Sequence, residues 1–405
     1  MDAAPRGIRP HIAIFGRRNV GKSSLINALA DQPLAIVFDT PGTTTDPVYK
    51  NMELLPFGPV VLIDTPGLDD IGDLGRMRVE ASHAVLKKTD LALVVLEPRE
   101  KLDVCERDLL NALKAARTPY LVIVNKTDIE AIPDSLRNEL AVFGEIPYPL
   151  SSLKGTGVCD FRGKIMQEKL KDFDTGPIIG DLVKPGDVVI LVVPIDLAAP
   201  KGRIILPQVQ TIRDLLDSDC ITVTVKESEL RSAIDVLRVK PALVVTDSQA
   251  FAEVAAIVPK GVPFTGFSVL FARYKGDLKA FIDGINSLAR LPVDANILIA
   301  ESCTHHQVAD DIGRIKIPRW MRQKYGEGLQ FTYSQGISFP GNLSEYNLVV
   351  HCGACMTNRR AVLARIATCR EAGVPITNYG LLIAHMHGIL GEALRPFGLS
   401  VEQNT

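Results

Sequence analysis

The strongest restriction on the fold of this chain is a run of eight residues close to its start. Residues 16–23 read Gly-Arg-Arg-Asn-Val-Gly-Lys-Ser, the G-x-x-x-x-G-K-S pattern of a phosphate-binding loop. An apolar, strand-like stretch precedes the run and a helical pattern follows it, which is the context that such a loop requires. Its glycines let backbone N–H groups converge on phosphate oxygens at the positive end of the helix. The run therefore predicts an α/β nucleotide-binding domain.

Each position of this loop has an expected role toward a nucleotide. We expect Lys22 to reach the β- and γ-phosphates and Ser23 to hold Mg²⁺. The predicted phosphate-binding set is Gly16, Asn19, Val20, Gly21, Lys22, Ser23 and Ser24.

Two further segments extend the predicted site toward the γ-phosphate. Residues 42–46 read Gly-Thr-Thr-Thr-Asp, and Thr44 is the expected switch residue for Mg²⁺ and the γ-phosphate. Residues 64–67 read Asp-Thr-Pro-Gly at the end of a predicted strand, which places Asp64 near the metal and the Gly67 amide toward the γ-phosphate. The predicted catalytic set is Lys22, Thr44, Asp64 and Gly67, with Ser23, Thr44 and Asp64 as Mg²⁺ ligands.

The base of the nucleotide is predicted from two later segments. Residues 125–128 read Asn-Lys-Thr-Asp after another strand, and the Asp128 carboxylate can accept hydrogen bonds from the N1–H and 2-amino group of guanine, which adenine does not offer. A backbone amide near Ser151 and Ser152 is expected to reach guanine O6. Each segment alone is compatible with a turn or a helix cap. The five segments in this order predict a GTP site, with its base held by Asn125, Lys126, Asp128, Ser151 and Ser152.

Over roughly residues 10–170 this set resembles the translation-factor-related GTPases, in particular the branch of MnmE, Era and Der. Leu68 stands where Ras-like enzymes carry a water-orienting glutamine. Leucine cannot orient water, so charge stabilisation must come from elsewhere. In the branch that this region resembles, a potassium ion supplies that stabilisation and is held partly by a loop asparagine, which Asn19 matches. A hydrogen bond that stabilises the loop is the simpler role for Asn19.

Composition and charge exclude several classes of partner. The 405 residues are 46% apolar, 23% charged and carry a formal net charge of -2, without long basic runs. A general nucleic-acid-binding surface needs clustered Lys and Arg, so no nucleic acid is expected; one local basic set is Arg314, Lys316, Arg319, Arg322 and Lys324. No apolar run approaches membrane-spanning length and the start lacks an apolar signal, which predicts a cytoplasmic protein without a membrane partner.

Apolar runs alternate with amphipathic helical patterns along the whole chain, which is typical of parallel α/β sheets. We predict three domains: a GTP-binding domain over 1–172, an α/β dimerisation or scaffold domain over 173–280, and a small α/β metal-binding domain over 281–405. A polar, glycine-marked segment, residues 172–186, is predicted to be a linker. The middle region offers no catalytic cluster, which favours a scaffold. The predicted strands of the first region are 11–15, 60–64, 91–96 and 121–125, and its predicted helices are 22–30, 75–87 and 106–116. The predicted strands of the middle region are 187–193, 221–225 and 242–246, and those of the third region are 296–300, 347–350 and 375–378.

Cysteine and histidine residues gather in the third region. Residues 303–305 read Cys-Thr-His and residues 351–355 read His-Cys-Gly-Ala-Cys, each after a predicted strand. Ligands in open α/β sheets bind at the carboxyl ends of strands, where the two groups would meet. The second group is predicted to open a helix over 357–371, whose N-terminus favours thiolate. Residue types allow a Cys₃His zinc site, an iron–sulfur cluster on three cysteines, a redox dithiol, or unrelated buried cysteines.

A G domain followed by Cys-x-His and His-Cys-x-x-Cys resembles the HydF family of [FeFe]-hydrogenase maturation GTPases. Residues 267–277 (Phe-Ser-Val-Leu-Phe-Ala-Arg-Tyr-Lys-Gly-Asp) and 317–320 (Ile-Pro-Arg-Trp) also resemble that family. The resemblance implies that Cys303, Cys352 and Cys355 bind a [4Fe-4S] cluster. His305, His351 and Asp310 are candidates for a fourth ligand, or for residues that support the ligands without binding the cluster.

The same resemblance implies a scaffold function. A homodimer would hold a transient diiron precursor made with radical-SAM maturases and deliver it to apo-[FeFe]-hydrogenase, while GTP regulates the exchange. Two roles are open for the basic set after Cys303: it steers an anionic precursor, or it is a solvated basic surface. Two alternatives remain at this stage: a tRNA-modification or ribosome-assembly GTPase with a structural zinc site, and a redox enzyme that works through Cys352 and Cys355.

Overall fold

The computed structural model describes residues 9–30, 47–54, 58–68, 84–165, 176–195, 204–302, 311–336, 340–355 and 357–399. The chain divides into two compact units, 1–174 and 175–405. Several predicted features lie outside the described residues: Thr44, most of the helix expected over 75–87, and Cys303, His305 and Asp310. Within the described ranges, no helix is long and apolar enough to cross a membrane.

The first unit contains a six-stranded sheet with the order β2-β3-β1-β4-β5-β6. Its strands are β1 His11–Gly16, β2 Val48–Leu54, β3 Gly58–Asp64, β4 Leu91–Leu96, β5 Tyr120–Val124 and β6 Tyr148–Pro149. All pairs are parallel except β2 with β3. Every residue of β1 and β4 is buried, as expected for parallel strands covered on both faces.

Helices cover both faces of this sheet, and each face carries its own apolar cluster. The helices are α1 Lys22–Ala30, α2 Val104–Ala115, α3 Asp134–Val142 and α4 Val158–Lys164. At the start of α2, the Glu106 carboxylate accepts a hydrogen bond from the Asp103 amide at 2.8 Å, which completes a capping box. The sequence predicted α1 with the correct bounds but gave no sign of the antiparallel strand β2, which is half exposed and shows weak apolar patterning.

The second unit begins with a four-stranded parallel sheet in the order β10-β9-β7-β8. Its strands are β7 Val188–Val192, β8 Ile221–Val225, β9 Leu243–Thr246 and β10 Phe264–Gly266, and its helices are α5 Leu206–Asp217, α6 Leu230–Val236, α7 Phe251–Ile257 and α8 Phe267–Lys275. The predicted linker over 172–186 is wrong in its second half. Ile178 and Ile179 are buried in the apolar cluster beside β7. Removing these two apolar side chains from water is favourable, so this part of the segment packs on the sheet and does not stay solvated as a linker would.

A second four-stranded parallel sheet follows, with the order β12-β11-β13-β14. Its strands are β11 Asn296–Glu301, β12 Gln330–Gln335, β13 Leu348–His351 and β14 Ile376–Asn378, and its helices are α9 Leu278–Asn286, α10 Ile317–Tyr325, α11 Arg359–Glu371, α12 Tyr379–Met386 and α13 Leu390–Leu394. Asn358 and Asn378 cap α11 and α12 by accepting hydrogen bonds from Ala361 and Leu381 amides.

The two sheets of the second unit share one apolar core. That cluster contains Ile190 of β7 as well as Val349 of β13. The Thr265 hydroxyl of β10 donates to the Ala393 carbonyl of α13 at 2.7 Å. Helix α9 lies against β14 so closely that a Cβ at Gly284 would be 2.1 Å from the Ile376 carbonyl oxygen. The region from 175 onward is therefore packed as one body.

Candidate functional site

The phosphate-binding loop follows β1 and has the conformation that its glycines allow. Gly21 has φ +97°, and a Cβ there would be 2.2 Å from Asn125 Nδ2. Asn19 also has positive φ, 61°, a backbone conformation that asparagine tolerates better than most residues. The Lys22 ammonium donates to the Gly16 carbonyl at 3.0 Å and to the Arg17 carbonyl at 2.8 Å, so it lies over the loop.

The predicted Mg²⁺ ligands of α1 and β3 are in direct contact. The Ser23 hydroxyl donates to Asp64 Oδ2 at 2.9 Å. Burial raises the pKa of Asp64, whereas the Ser23 hydrogen bond and the Lys22 charge lower it. A hydroxyl and a carboxylate at the end of β3, beside a phosphate-binding loop, are the oxygen ligands that Mg²⁺ uses in nucleotide sites.

The loop after β3 packs directly on the phosphate-binding loop. A Cβ at Gly67 would be 3.0 Å from the Arg18 nitrogen, so glycine permits this approach. The Leu68 amide donates to the Gly16 carbonyl at 3.3 Å, and the Leu68 side chain packs against an apolar cluster of the sheet. Leu68 therefore serves packing, which agrees with its inability to orient water.

Asn125 joins two loops of the predicted guanine site. Its Nδ2 donates to the Val20 carbonyl at 2.9 Å, and its Oδ1 accepts the Ser152 amide at 2.9 Å. The Asp128 carboxylate accepts a hydrogen bond from the Ser151 hydroxyl, which holds the pKa of Asp128 below its usual range. These contacts bring the predicted base-binding segments together with the phosphate-binding loop.

Two ion pairs around this site were not predicted from the sequence. Lys126 Nζ pairs with Glu97 just after β4, and the pKa of Glu97 is lowered because its hydrogen bonds to Lys126 and Arg99 outweigh the effect of burial. Arg17 pairs with Asp103 at 2.8 Å. The position of Glu97 at the carboxyl end of a parallel strand was the available signal.

The cysteine pair lies in the loop between β13 and α11. The prediction that the pair opens a helix is wrong, because α11 begins at Arg359 and Asn358 is its N-cap. The loop instead contains Ala354 in the left-handed region, with φ 51°. The Ser302 amide donates to Cys352 Sγ at 3.2 Å, so the residue immediately before Cys303 touches the second cysteine group.

Beside this pair, the His351 ring is buried and engaged on both nitrogens. Nδ1 donates to the Cys352 carbonyl at 2.7 Å, and Nε2 accepts from Arg365 Nη1 at 2.8 Å. Burial and the Arg365 charge lower the pKa of His351 to about 3, so the ring is neutral. Arg365 also donates to the Ser302 hydroxyl at 2.8 Å and to the Gly336 carbonyl. His351 thus connects the end of β13 to Ser302 after β11 through Arg365.

Cys369, in α11, is fully buried, and burial raises its pKa to about 12.

A lysine that the sequence did not single out supports the same loop. Lys275, at the end of α8, is 2% exposed, and its ammonium donates to the carbonyls of Ala354 at 3.1 Å, Cys355 at 2.9 Å and Thr357 at 2.9 Å. Burial lowers the pKa of Lys275 to about 8, against the opposing influence of Cys355 and Cys352. It lies in the run 267–277, which was the available signal.

The basic set around α10 is only partly available for a ligand. Arg314 stacks on Tyr333 at 4.9 Å and lies 3.6 Å from the buried Glu301 carboxylate. Arg322 stacks on Phe331 at 4.9 Å. These two arginines cover the edge strand β12, so they contribute to packing.

The residue types and their placement fit a thiolate-bound metal group. Two cysteines share one loop, and Ser302 brings the chain leading to Cys303 against Cys352. Buried cationic side chains on either side, Lys275 and Arg365, favour thiolates. Within the described ranges, which omit 303–310, no group of three or more Cys, His, Asp or Glu side chains is arranged to hold a metal ion.

Comparison with protein families decides the relationship. The hydrogen maturase F dimerization domain matches residues 178–276, and the hydrogen maturase F tetramerization domain matches residues 279–396; together they account for more than half of the chain. The chain belongs to the hydrogen maturase F family. Its first unit matches a third family described as a 50S ribosome-binding GTPase, over residues 11–126. The hydrogen maturase F chain thus combines a GTPase domain with two self-association domains of its own family.

Individual relatives match about two fifths of this chain in sequence. The tRNA modification GTPase MnmE of Bacillus velezensis is 40% identical over 173 residues, which is 42% of this chain and 36% of that protein. GTPase Der of Geobacillus thermodenitrificans is 34% identical over 167 residues, 40% of this chain and 37% of that protein. The match spans little more than a third of each relative. The structure of Aquifex aeolicus Era bound to GDP and AlF4- aligns with 56% of this chain and 98% of that chain, at 19% identity and a TM-score of 0.35.

Proposed function

We propose that this hydrogenase-maturation GTPase is an iron–sulfur scaffold that holds a diiron precursor and delivers it to apo-[FeFe]-hydrogenase. The observation that carries the proposal is the cysteine loop after β13, which touches the residue before Cys303 at the end of β11. The family match supports the hydrogenase-maturation role, and the soft thiolate set supports iron–sulfur chemistry.

In this proposal Cys303, Cys352 and Cys355 hold a [4Fe-4S] cluster. His351 orients the loop, since its Nε2 already accepts from Arg365 and its Nδ1 donates to the Cys352 carbonyl. His305 and Asp310 are then the candidates for the fourth position. Imidazole or carboxylate would exchange there more readily than thiolate, which suits a site that receives and releases cargo.

The domains that we propose are 1–172, 173–280 and 281–405, and the family matches to 178–276 and 279–396 support the later two. The self-association domains support a homodimer or larger assembly. Radical-SAM maturases would supply the precursor in the cytoplasm, and GTP state would control the exchange of these partners with apo-hydrogenase.

For hydrolysis, we propose Lys22, Asp64, Gly67 and Thr44 as the reacting-group contacts, with Mg²⁺ on Ser23, Asp64 and Thr44. Potassium held partly by Asn19 would supply the charge stabilisation that Leu68 cannot. Turnover of GTP in potassium buffer should exceed turnover in sodium buffer at least about tenfold. Equal rates would remove the potassium assignment and leave Asn19 as a loop-stabilising residue.

Anaerobic reconstitution with iron and sulfide tests the scaffold. The reduced protein should give a [4Fe-4S] paramagnetic signal that Cys352→Ala abolishes and Cys159→Ala, an exposed cysteine of the first unit, preserves. GTP turnover should be unchanged in both variants. Tightly bound zinc with no iron signal would instead favour the second candidate, a tRNA-modification or ribosome-assembly GTPase, which the similarity of the first unit to MnmE and Der supports.

A further inference from the structure

The ammonium group of Lys275 is buried almost completely, which is costly unless its charge is compensated. Its three N–H bonds have three acceptors, and all three are carbonyls of one loop: Ala354, Cys355 and Thr357. Carbonyl dipoles satisfy the donors but do not neutralise the charge. Among the residues that the structure describes, no carboxylate pairs with Lys275.

The loop that Lys275 holds is the one that carries the cysteine pair. Ala354, between the two cysteines, has φ 51°, a left-handed backbone conformation that is strained for alanine. Three charge-assisted hydrogen bonds from one side chain are enough to hold such a turn. They fix the backbone at Cys355 directly, and therefore the direction in which its thiol leaves the loop.

Lys275 also comes from a different part of the fold than the cysteines. It ends α8, inside the region matched by the dimerization domain, whereas Cys352 and Cys355 lie in the region matched by the tetramerization domain. A second contact beside it joins α8 to α11, the helix that follows the cysteine loop, because the Arg359 guanidinium donates to the Tyr274 carbonyl. Helix α8 thus contacts both the cysteine loop and the helix after it.

We infer that Lys275 is a positioning residue that shapes the cysteine loop and supplies the positive charge against which an anionic iron–sulfur group is bound. This inference rests on the proposed function. A fixed positive charge stabilises the more negative, reduced form of a cluster, so it raises the reduction potential. It also opposes loss of iron, because the thiolates remain paired with a nearby cation.

The test uses the full chain, reconstituted anaerobically with iron and sulfide. Lys275→Gln removes the charge but keeps a donor, and Lys275→Arg keeps the charge. The control is Lys279→Met, which alters an exposed lysine of α9, four residues further along the chain. Potentials are measured by redox titration of the paramagnetic signal, and iron loss is measured with a ferrous chelator.

We expect Lys275→Gln to have a more negative potential and to lose iron at least about tenfold faster than Lys279→Met. Lys275→Arg should retain a potential closer to wild type than Lys275→Gln does. A Lys275→Gln protein that loads iron with the potential and release rate of the control would overturn the inference and leave the scaffold intact. Failure of Lys275→Gln to fold even without iron, seen by circular dichroism, would also overturn it, by making Lys275 a folding residue. A wild-type protein that takes up no cluster would refute the proposed function itself.

Discussion

In the first unit, the groups that we propose as nucleotide contacts come from short loops directly after β1, β3 and β5, and most lie within a motif of four to eight consecutive residues. In the second unit, the cysteine pair also follows a strand, but its supporting side chains are distant in sequence. Lys275 is separated from its acceptors by 79 to 82 residues. Both sites use the carboxyl ends of parallel strands.

The difference teaches how each site can fail. A motif loop that carries its own glycines and capping groups is damaged mainly by changes within the motif. The cysteine loop has an exposed glycine and a strained alanine, and three of its carbonyls accept hydrogen bonds from Lys275 of another helix. Substitutions far from the cysteines should therefore affect it strongly.

The largest expected effect belongs to the first unit and tests whether base recognition depends on one motif residue. Asp128→Asn removes the acceptor for the guanine N1–H and 2-amino group, so GTP affinity should fall about 10²- to 10⁴-fold. Affinity for XTP should rise, because the xanthine 2-carbonyl can accept from the asparagine amide. Fluorescent-nucleotide titration measures both. Unchanged GTP affinity would place the base elsewhere.

In the second unit, Arg365→Met should destabilise the protein by about 3 kcal/mol, because it leaves Ser302, His351 and Gly336 acceptors without their charged donor. Denaturant unfolding followed by circular dichroism measures the loss. Arg370→Met on the exposed face of α11 is the control and should cost less than about 0.5 kcal/mol. Equal losses of stability in Arg365→Met and Arg370→Met would contradict the role of Arg365.

Asn125→Ala tests the link between loops inside the first unit. It removes hydrogen bonds to the Val20 carbonyl and from the Ser152 amide, so we expect a loss of about 2 kcal/mol in stability, with weaker GTP binding. Asn51→Ala on the exposed side of β2 provides the control. Thermal melting with and without GTP would show the difference, and equal melts for the two variants would refute the link.

Thr265→Val tests the long-range closure of the second unit, and we expect it to cost about 1 kcal/mol because the Ala393 carbonyl loses its donor. Thr246→Val is a matched control in the same sheet. The Thr246 hydroxyl is buried and has no hydrogen-bond partner in the part of the chain that the structure describes, so its loss should be neutral or stabilising. Chemical denaturation distinguishes the pair, and a larger loss for Thr246→Val would reverse the argument.

The last comparison is a pH dependence of the second unit. Burial, with the Lys324 charge, lowers the pKa of His385 to about 4 from its ordinary 6.5, and Nε2 of the ring lies 2.8 Å from the Tyr325 hydroxyl. The fold therefore favours the neutral ring. Its contribution is complete above pH 6.5 and is lost as the pH falls toward 4. His385→Asn should show a shallower loss of stability between these pH values, and an identical slope would contradict the assignment.

The sequence was sufficient for the parts of the fold that short patterns determine. Ten strands (β1, β3, β4, β5, β7, β8, β9, β11, β13 and β14) and α1 were predicted within two residues, since most of them are continuous apolar runs. Three edge strands, β6, β10 and β12, were not predicted. The half-exposed β2 was missed because edge strands lack that pattern. The helix predicted from 357 starts at 359, because the Asn358 side chain accepts from the Ala361 amide and fixes the end.

The sites divide in the same way. The contact between Ser23 and Asp64 was expected from two motifs whose order is diagnostic. Lys275 was not, because a lysine at the end of an apolar helix normally extends into solvent, and only the tertiary structure buries it. Arg365 was missed for the same reason.

The hydrogen bond from Thr265 to Ala393 has a consequence for how this protein is made. The two residues are 128 positions apart, and Phe397, just beyond, packs on the apolar cluster of Ile178 and β7 under the Arg273 guanidinium. Synthesis proceeds from the N-terminus, so the ribosome has translated nearly all of this unit before Ala393 and Phe397 can reach these partners. The last contacts of the second unit therefore form only near the end of synthesis, whereas the G domain can fold while translation continues.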